Sequence, residues 1–196
     1  MADIKSAQEI AMEKIARLGE ASEEERRKWK NVPAGEKLAT KYLKEDTNLV
    51  AELSHYPEAD RKYVVEGAAG VLIRNLGLPK NDALKKMNRR IMDGLKVMKS
   101  DKVAVENVYS RIRNIFNHYN EQGEQQRRAA YESLKAQAEA NIQQQMQQQM
   151  GMTSRVKIDV ERQPQFQQEW RKIQHQLDSQ YLTLLKEYQQ ELAKIA

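Results

Sequence analysis

One spacing in this sequence is typical of metal chemistry, because Glu52 and His55 are three residues apart. On a helix this spacing places a carboxylate and an imidazole on one face. Di-iron helical bundles use two such pairs together with two further glutamates. Neither His118 nor His175 has a glutamate three residues before it. The second pair is therefore missing, and we expect no metal ion and no cofactor.

The sequence offers no candidate for covalent catalysis. It contains no cysteine, which excludes disulfides, thiolate metal sites and cysteine nucleophiles. No serine lies in the Gly-x-Ser-x-Gly turn of hydrolases, and no glycine-rich loop has the spacing that binds phosphates. We therefore predict no catalytic residue and a binding protein rather than an enzyme.

Positive charge is concentrated in one stretch of the chain. Between Lys80 and Arg113 there are ten basic and four acidic residues, so this stretch carries +6 and the remainder −1. At about 100° per residue, the apolar residues here fall on one side of a helix. The opposite side could bind the phosphates of RNA with salt-dependent affinity, or it could be a solvated helix face. Its basic residues are Lys85, Lys86, Arg89, Arg90, Lys96 and Lys99.

A glutamine- and methionine-rich stretch, QQQMQQQMGM, occupies residues 143–152. Methionine adapts to irregular apolar surfaces, so Met146, Met150 and Met152 are candidates for binding a partner protein. The alternative is that Met146 and Met150 continue a four-residue apolar spacing from Ile142 and contact the chain itself.

Residues 155–161 alternate charged and apolar side chains, which is typical of a β-strand. Val156, Ile158 and Val160 would lie on one side of it. A single strand has unpaired backbone groups on both edges and needs a mate. Three alternatives stay open: an extended linker packed on its own helices, pairing across a homodimer, and capture of a strand from a partner protein.

Two long helices must position this segment. From Lys102 to Met150 the apolar residues follow alternating three- and four-residue steps, which predicts a helix with a coiled-coil-like seam. Gly123 interrupts this apolar pattern. Either the helix kinks there, or it continues through the glycine and loses about 1 kcal/mol of stability. The first part of the predicted seam is Val105, Val108, Ile112, Ile115 and Tyr119, and the second is Tyr131, Leu134, Ala138, Ile142, Met146 and Met150.

The last thirty residues of the chain repeat every eleven, which keeps one apolar stripe on one side of a helix. Such a stripe must pack on another helix, and we predict that it folds back on the seam. The repeat predicts nine contact residues: Phe166, Trp170, Ile173, Leu177, Tyr181, Leu184, Tyr188, Leu192 and Ile195.

The N-terminal half predicts a bundle of shorter helices. Ser22 and Glu25 form a capping-box pattern, and Pro33 with Gly35 predicts a break in the chain. The small residues of 67–70 lie inside a helical pattern and indicate close packing of helices. We also expect a helix within the first twenty residues, with Ile4, Ala7, Ala11, Ile15 and Leu18 on one face, and a single helical face formed by Leu38, Tyr42, Leu49 and Leu53.

These patterns predict an all-α protein. We expect an N-terminal helical bundle over residues 1–101 and a long antiparallel helical hairpin over 102–196, with a connecting segment at 151–163. An apolar content of 40%, charged residues at 31% and only four prolines fit such long helices.

The sequence also limits the classes of function that we expect. The longest apolar stretch is too short to span a bilayer and the first residues form no signal core, so we expect a cytoplasmic protein that does not enter a membrane. We predict a protein–protein interaction module, adaptor or chaperone-like, that uses the hairpin. An RNA- or ribosome-associated factor is the alternative, and homodimerisation stays open.

Overall fold

The structure, a computed structural model, describes residues 21–45, 47–150 and 159–195. These residues form six α-helices and one turn of 3-10 helix at Val160–Arg162, and none of them lies in a strand, so the all-α prediction is confirmed. The helix predicted within the first twenty residues lies outside the described part. The helices are α1 (Glu23–Lys44), α2 (Leu49–Ser54), α3 (Glu58–Asn75), α4 (Asp82–Met98), α5 (Lys102–Met150) and α6 (Pro164–Lys194).

The chain divides into two compact units. Unit 1 contains the described residues up to Leu76, together with Lys86–Lys102 and the residues from Ala193 onward. Unit 2 contains Gly77–Lys85 and the described residues of Val103–Leu192. The boundary crosses α4 and falls again close to the end of α6, so neither unit is one continuous stretch of sequence.

In unit 1, α1 and α3 pack with their backbones almost in contact. A Cβ atom on Gly35 would lie 1.9 Å from the carbonyl oxygen of Val64, and one on Gly67 would lie 2.1 Å from that of Val32. Only glycine permits this approach, which confirms the predicted packing role at Gly67. At Gly70 the nearest atom is the guanidinium of Arg74 at 3.6 Å, so that glycine is not required for packing.

The break predicted at Pro33 and Gly35 is wrong. Helix α1 begins at the predicted capping box of Ser22 and Glu25 and continues through Pro33 to Lys44. Pro33 is exposed, so water can reach the Trp29 carbonyl that loses its helical partner. Gly35 is buried where α1 meets α3, and that packing favours the helix over the local tendency of the sequence to turn.

The single helical face predicted over Leu38, Tyr42, Leu49 and Leu53 is divided between two helices. Helix α1 ends at Lys44, and Asn48 begins α2 by accepting hydrogen bonds on Oδ1 from the backbone N–H groups of Val50 and Ala51. This side-chain cap competes with a continuous helix. Leu38, Leu49 and Leu53 nevertheless share one buried cluster with Val64.

In unit 2, α5 has the predicted bounds, and the first part of its seam is buried from Val105 to Tyr119. The rings of Tyr119 and Tyr181 meet edge to face with centroids 5.1 Å apart, and those of Tyr131 and Trp170 do so at 5.0 Å. Residue numbers rise along α5 while those of their partners fall along α6, which is the order that antiparallel helices produce.

Helix α5 runs through Gly123 without interruption. This glycine is buried, and a Cβ atom there would lie 3.2 Å from the hydroxyl oxygen of Tyr181. The glycine thus leaves space for a side chain of α6, which is a role that the sequence pattern did not indicate.

The predicted stripe of α6 fails at Leu184, which is 41% exposed. The next residue, Leu185, is buried instead. Asp178, Leu185 and Leu192 are buried at intervals of seven. The other eight predicted stripe residues are buried or half-buried, so the stripe departs from the prediction only at Leu184.

Candidate functional site

The predicted partner-binding residues at the end of α5 are only partly described. Met146 is half-buried, Met150 is the last residue of the helix, and Met152, Val156 and Ile158 lie outside the described residues. Val160 is 1% exposed. Val160 is therefore a core residue and does not lie on an exposed binding surface.

The last two residues of the predicted strand 155–161 are helical and not extended. Val160 and Glu161 belong to a turn of 3-10 helix, closed by a hydrogen bond from the backbone N–H of Gln163 to the Val160 carbonyl. Burial of Val160 and the start of α6 at Pro164 favour this turn over an extended chain. Residues 155–158 lie outside the described part, so their pairing stays a prediction.

Two of the predicted phosphate-binding residues have structural roles. The guanidinium of Arg90 donates to the carbonyl oxygen of Tyr42 at 2.6 Å and to that of Glu45, and it lies over the Tyr42 ring. Lys99 is 9% exposed, and its ammonium donates to the carbonyl oxygen of Ile195 at 2.5 Å. Burial lowers the pKa of Lys99. Their side chains thus bind backbone carbonyl oxygens of other segments of the chain and are not available on the expected solvent face.

The other four predicted phosphate-binding residues lie nearer to solvent. Lys85 is half-buried and pairs with Asp82 at 3.2 Å. Lys86, Arg89 and Lys96 are exposed. Within the described residues, Lys86 and Arg89 have no ion-pair partner. Of the six residues of the expected basic face, three are therefore exposed to solvent: Lys86, Arg89 and Lys96.

The Glu52 and His55 pair does not lead to a larger polar cluster. Glu52 accepts a hydrogen bond from the ammonium of Lys41 at 2.9 Å, and this contact lowers the pKa of the Glu52 carboxyl. In residues 21–45, 47–150 and 159–195 there is no group of three or more histidine, aspartate or glutamate side chains placed to hold a metal ion.

An apolar groove runs along one side of the α5–α6 pair in unit 2. It is a concavity of about 830 Å³ to which α6 contributes Ile173, Leu177, Leu184 and Tyr188. On its wall, the imidazole Nδ1 of His118 lies 2.9 Å from the Tyr181 hydroxyl oxygen. Five of its twelve lining residues belong to the predicted stripe, and six others are polar or charged: Arg111, Asn114, His118, Gln126, Gln176 and Gln180.

Sequence reasoning missed a second concavity, which contains a buried carboxylate. Asp178 is 4% exposed, and its Oδ2 lies 2.6 Å from the ammonium of Lys80. Its Oδ1 lies 3.9 Å from the guanidinium of Arg127. A heptad reading of α6 would have found Asp178, since it precedes buried Leu185 by seven residues. The concavity is about 470 Å³ and is lined by Lys80, Tyr119, Arg127, Arg171, Gln174, His175, Asp178 and Leu182.

This environment also acts on the phenol of Tyr119. Burial, together with the neighbouring carboxylate of Asp178, raises the pKa of Tyr119 to about 12. The guanidinium of Arg127 opposes this shift from 4.1 Å above the ring. Tyr119 is therefore neutral at physiological pH and acts here as a packing and hydrogen-bonding group.

Comparison with known proteins identifies a family but no individual relative. A model described as a family of unknown function, DUF6657, matches residues 50–194, which extend from α2 to the end of α6. No curated protein and no solved structure matches the chain. Among the described helices, none has an apolar stretch of the length needed to cross a lipid bilayer.

Proposed function

Because the chain belongs to the DUF6657 family, whose function is unknown, we propose its function from its own geometry. The protein is a cytoplasmic, non-enzymatic protein-interaction module, adaptor or chaperone-like, and its α5–α6 helical hairpin binds an amphipathic helix of a partner. The supporting observation is the groove of about 830 Å³ beside α6, with Leu184 41% exposed in it. A helix with apolar residues three and four apart fits such a groove.

The distal part of α5 carries further apolar residues, beyond those that line the groove. Lys135 pairs with Glu161 at 2.5 Å, just before α6 begins, and α5 continues from there to Met150. The apolar residues along this continuation, Ala138, Ile142 and Met146, are half-buried. A partner that covers them would gain about 25 cal/mol for each Å² of apolar surface buried.

Two leucines of α6 give a matched test of the groove. Leu184 lies in it, whereas Leu182 is 42% exposed on the other side of the helix and lines the smaller concavity. A photo-crosslinking amino acid at position 184 is expected to capture a defined partner in cells, and the same group at position 182 is not. The measurement is mass spectrometry of the crosslinked species.

The captured partner is then purified and its affinity is measured. Leu184→Lys is expected to weaken binding by roughly a hundredfold, because it places a charge in the apolar contact, while Leu182→Lys leaves the affinity within about twofold. Capture of the same proteins from both positions, or equal losses in the two variants, would remove the proposal.

RNA binding is a second candidate, favoured by Lys86 and Arg89 on α4, which are exposed and have no ion-pair partner among the residues that the structure describes. We expect the double change of both residues to glutamate to abolish any RNA binding seen at low salt, because phosphate contacts dominate such affinity. A control with the same charge change is Lys37→Glu with Lys44→Glu on α1. Absence of RNA binding at low salt by the unaltered protein, or equal loss in the control, would exclude this candidate.

A further inference from the structure

The concavity around Asp178 lies wholly within unit 2, where three segments of chain meet. Lys80 comes from the segment before α4, Tyr119 and Arg127 come from α5, and Arg171, His175 and Asp178 come from α6. Its volume of about 470 Å³ lies within the range of small-molecule sites, about 300–1,000 Å³.

Charge in this concavity is not balanced. Its lining contains three cationic side chains, those of Lys80, Arg127 and Arg171, and one carboxylate, that of Asp178. In the described part of the chain Arg171 has no ion-pair partner. His175, one turn beyond Arg171 on the same face of α6, adds a ring that can donate a hydrogen bond. Two positive charges therefore remain unmatched.

The buried carboxylate holds the cations in place. Lys80 is fixed by its contact of 2.6 Å to Asp178. Arg127 donates to the Tyr119 carbonyl oxygen at 3.2 Å and lies over the ring of that residue, with its guanidinium near Asp178. Side chains that are already ordered lose little conformational freedom when a ligand binds, which favours affinity. Asp178 is thus a positioning residue.

We propose that this concavity binds a terminal phosphate group, carried by a small phosphomonoester or present as free phosphate. Such a group carries about −1.5 to −2 charges at neutral pH, which matches the two unmatched cations. The Arg171 guanidinium can bind two phosphate oxygens at once, and Lys80 and His175 supply further donors. Gln174 and Leu182 remain to contact the rest of a phosphomonoester. This site is separate from the groove and does not depend on the protein-interaction proposal.

The charge match also defines what the site rejects. A phosphodiester carries a single negative charge, so it leaves one cation of the site unmatched. It also has only two non-ester oxygens, whereas a terminal phosphate has three. The internal phosphates of RNA are of this kind. The site therefore selects terminal phosphates over a nucleic-acid backbone.

Isothermal titration calorimetry of the full chain tests the proposal with glycerol phosphate, inorganic phosphate and dimethyl phosphate at fixed ionic strength. One equivalent of glycerol phosphate or of inorganic phosphate is expected to bind, and the tighter of the two identifies the source of the phosphate. Dimethyl phosphate is expected to bind at least tenfold more weakly. Arg171→Gln is expected to weaken phosphate binding roughly tenfold, the effect of losing a charge-assisted hydrogen bond.

The neighbouring lysine provides the control. Lys172→Gln removes the same charge one residue away, where the ammonium is exposed and paired with Glu169 at 2.9 Å. Phosphate affinity in this variant is expected to stay unchanged. The proposal is overturned if neither glycerol phosphate nor inorganic phosphate shows saturable binding, or if dimethyl phosphate binds as tightly as they do. It is also overturned if the Lys172 variant loses as much phosphate affinity as the Arg171 variant.

Discussion

Replacing Gly67 by alanine is expected to lower the free energy of unfolding by about 3 kcal/mol, the upper end of the usual cost of overpacking. The added methyl group would lie 2.1 Å from the carbonyl oxygen of Val32. Since that oxygen belongs to the backbone of α1, no side-chain rotation relieves the contact and the two helices must separate. Urea denaturation followed by circular dichroism at the helical band measures the loss.

Gly70, in the same helix, is the control. It has space for a methyl group, with Arg74 at an ordinary contact distance of 3.6 Å. Gly70→Ala is expected to stabilise the protein by up to about 1 kcal/mol, because alanine loses less backbone entropy than glycine when a helix forms. Equal effects of the two substitutions would show that α1 and α3 do not pack as closely as described.

The second large effect on stability is expected within unit 2, where isoleucine is replaced by alanine at two positions of α5 in separate variants. Ile112 is completely buried, whereas Ile142 is half-buried. Ile112→Ala is expected to cost about 3 kcal/mol, because it removes buried methyl groups and leaves a cavity. Ile142→Ala is expected to cost about 1 kcal/mol, in proportion to the smaller area that it removes from water.

Thermal and urea unfolding of the two variants distinguish these values. The difference matters for function, because a distal seam that adds little to stability can exchange its contacts for those of a partner. If Ile142→Ala were as costly as Ile112→Ala, the distal part of α5 would be a core element, and its share in the proposed binding surface would be withdrawn.

The long helices could be predicted from the sequence because their signals are periodic and repeated. The seam from Val105 to Tyr119 recurs over several turns, so no single residue decides the outcome. The bounds of α3 and α4 also follow from local signals, such as Pro57 before α3 and the Asn81 side chain, which accepts a hydrogen bond from the backbone of Leu84 at the start of α4.

Features that depend on contacts distant in sequence could not be predicted in this way. Pro33 and Gly35 favour a break locally, and only the backbone of α3 against Gly35 explains why α1 continues. Lys99 belongs to a basic face on a helical wheel, yet the Ile195 carbonyl that holds it is almost a hundred residues away. The ion pair of Asp178 likewise depends on Lys80, which precedes a different helix.

The two candidate binding surfaces also differ in how far the sequence could predict them. The stripe on α6 was visible in the sequence, and five of its residues line the groove. The exposure of Leu184, and the burial of Leu185 in its place, depend on how α6 packs against α5. The cationic concavity could not be recognised in the sequence, because its seven charged and polar residues come from three separate segments. Clusters of this kind appear only when the fold brings those segments together.

The space that Gly123 leaves for the Tyr181 hydroxyl favours the observed register of α5 against α6. If α6 slipped by one turn, that hydroxyl would meet a residue with a full side chain, such as Tyr119 or Arg127. This contact lies close to the concavity around Asp178, since Tyr119 and Arg127, one turn away on either side of Gly123, line it. Whole turns inserted or deleted beyond Lys135 would alter the length of the distal segment while leaving the phosphate concavity in place.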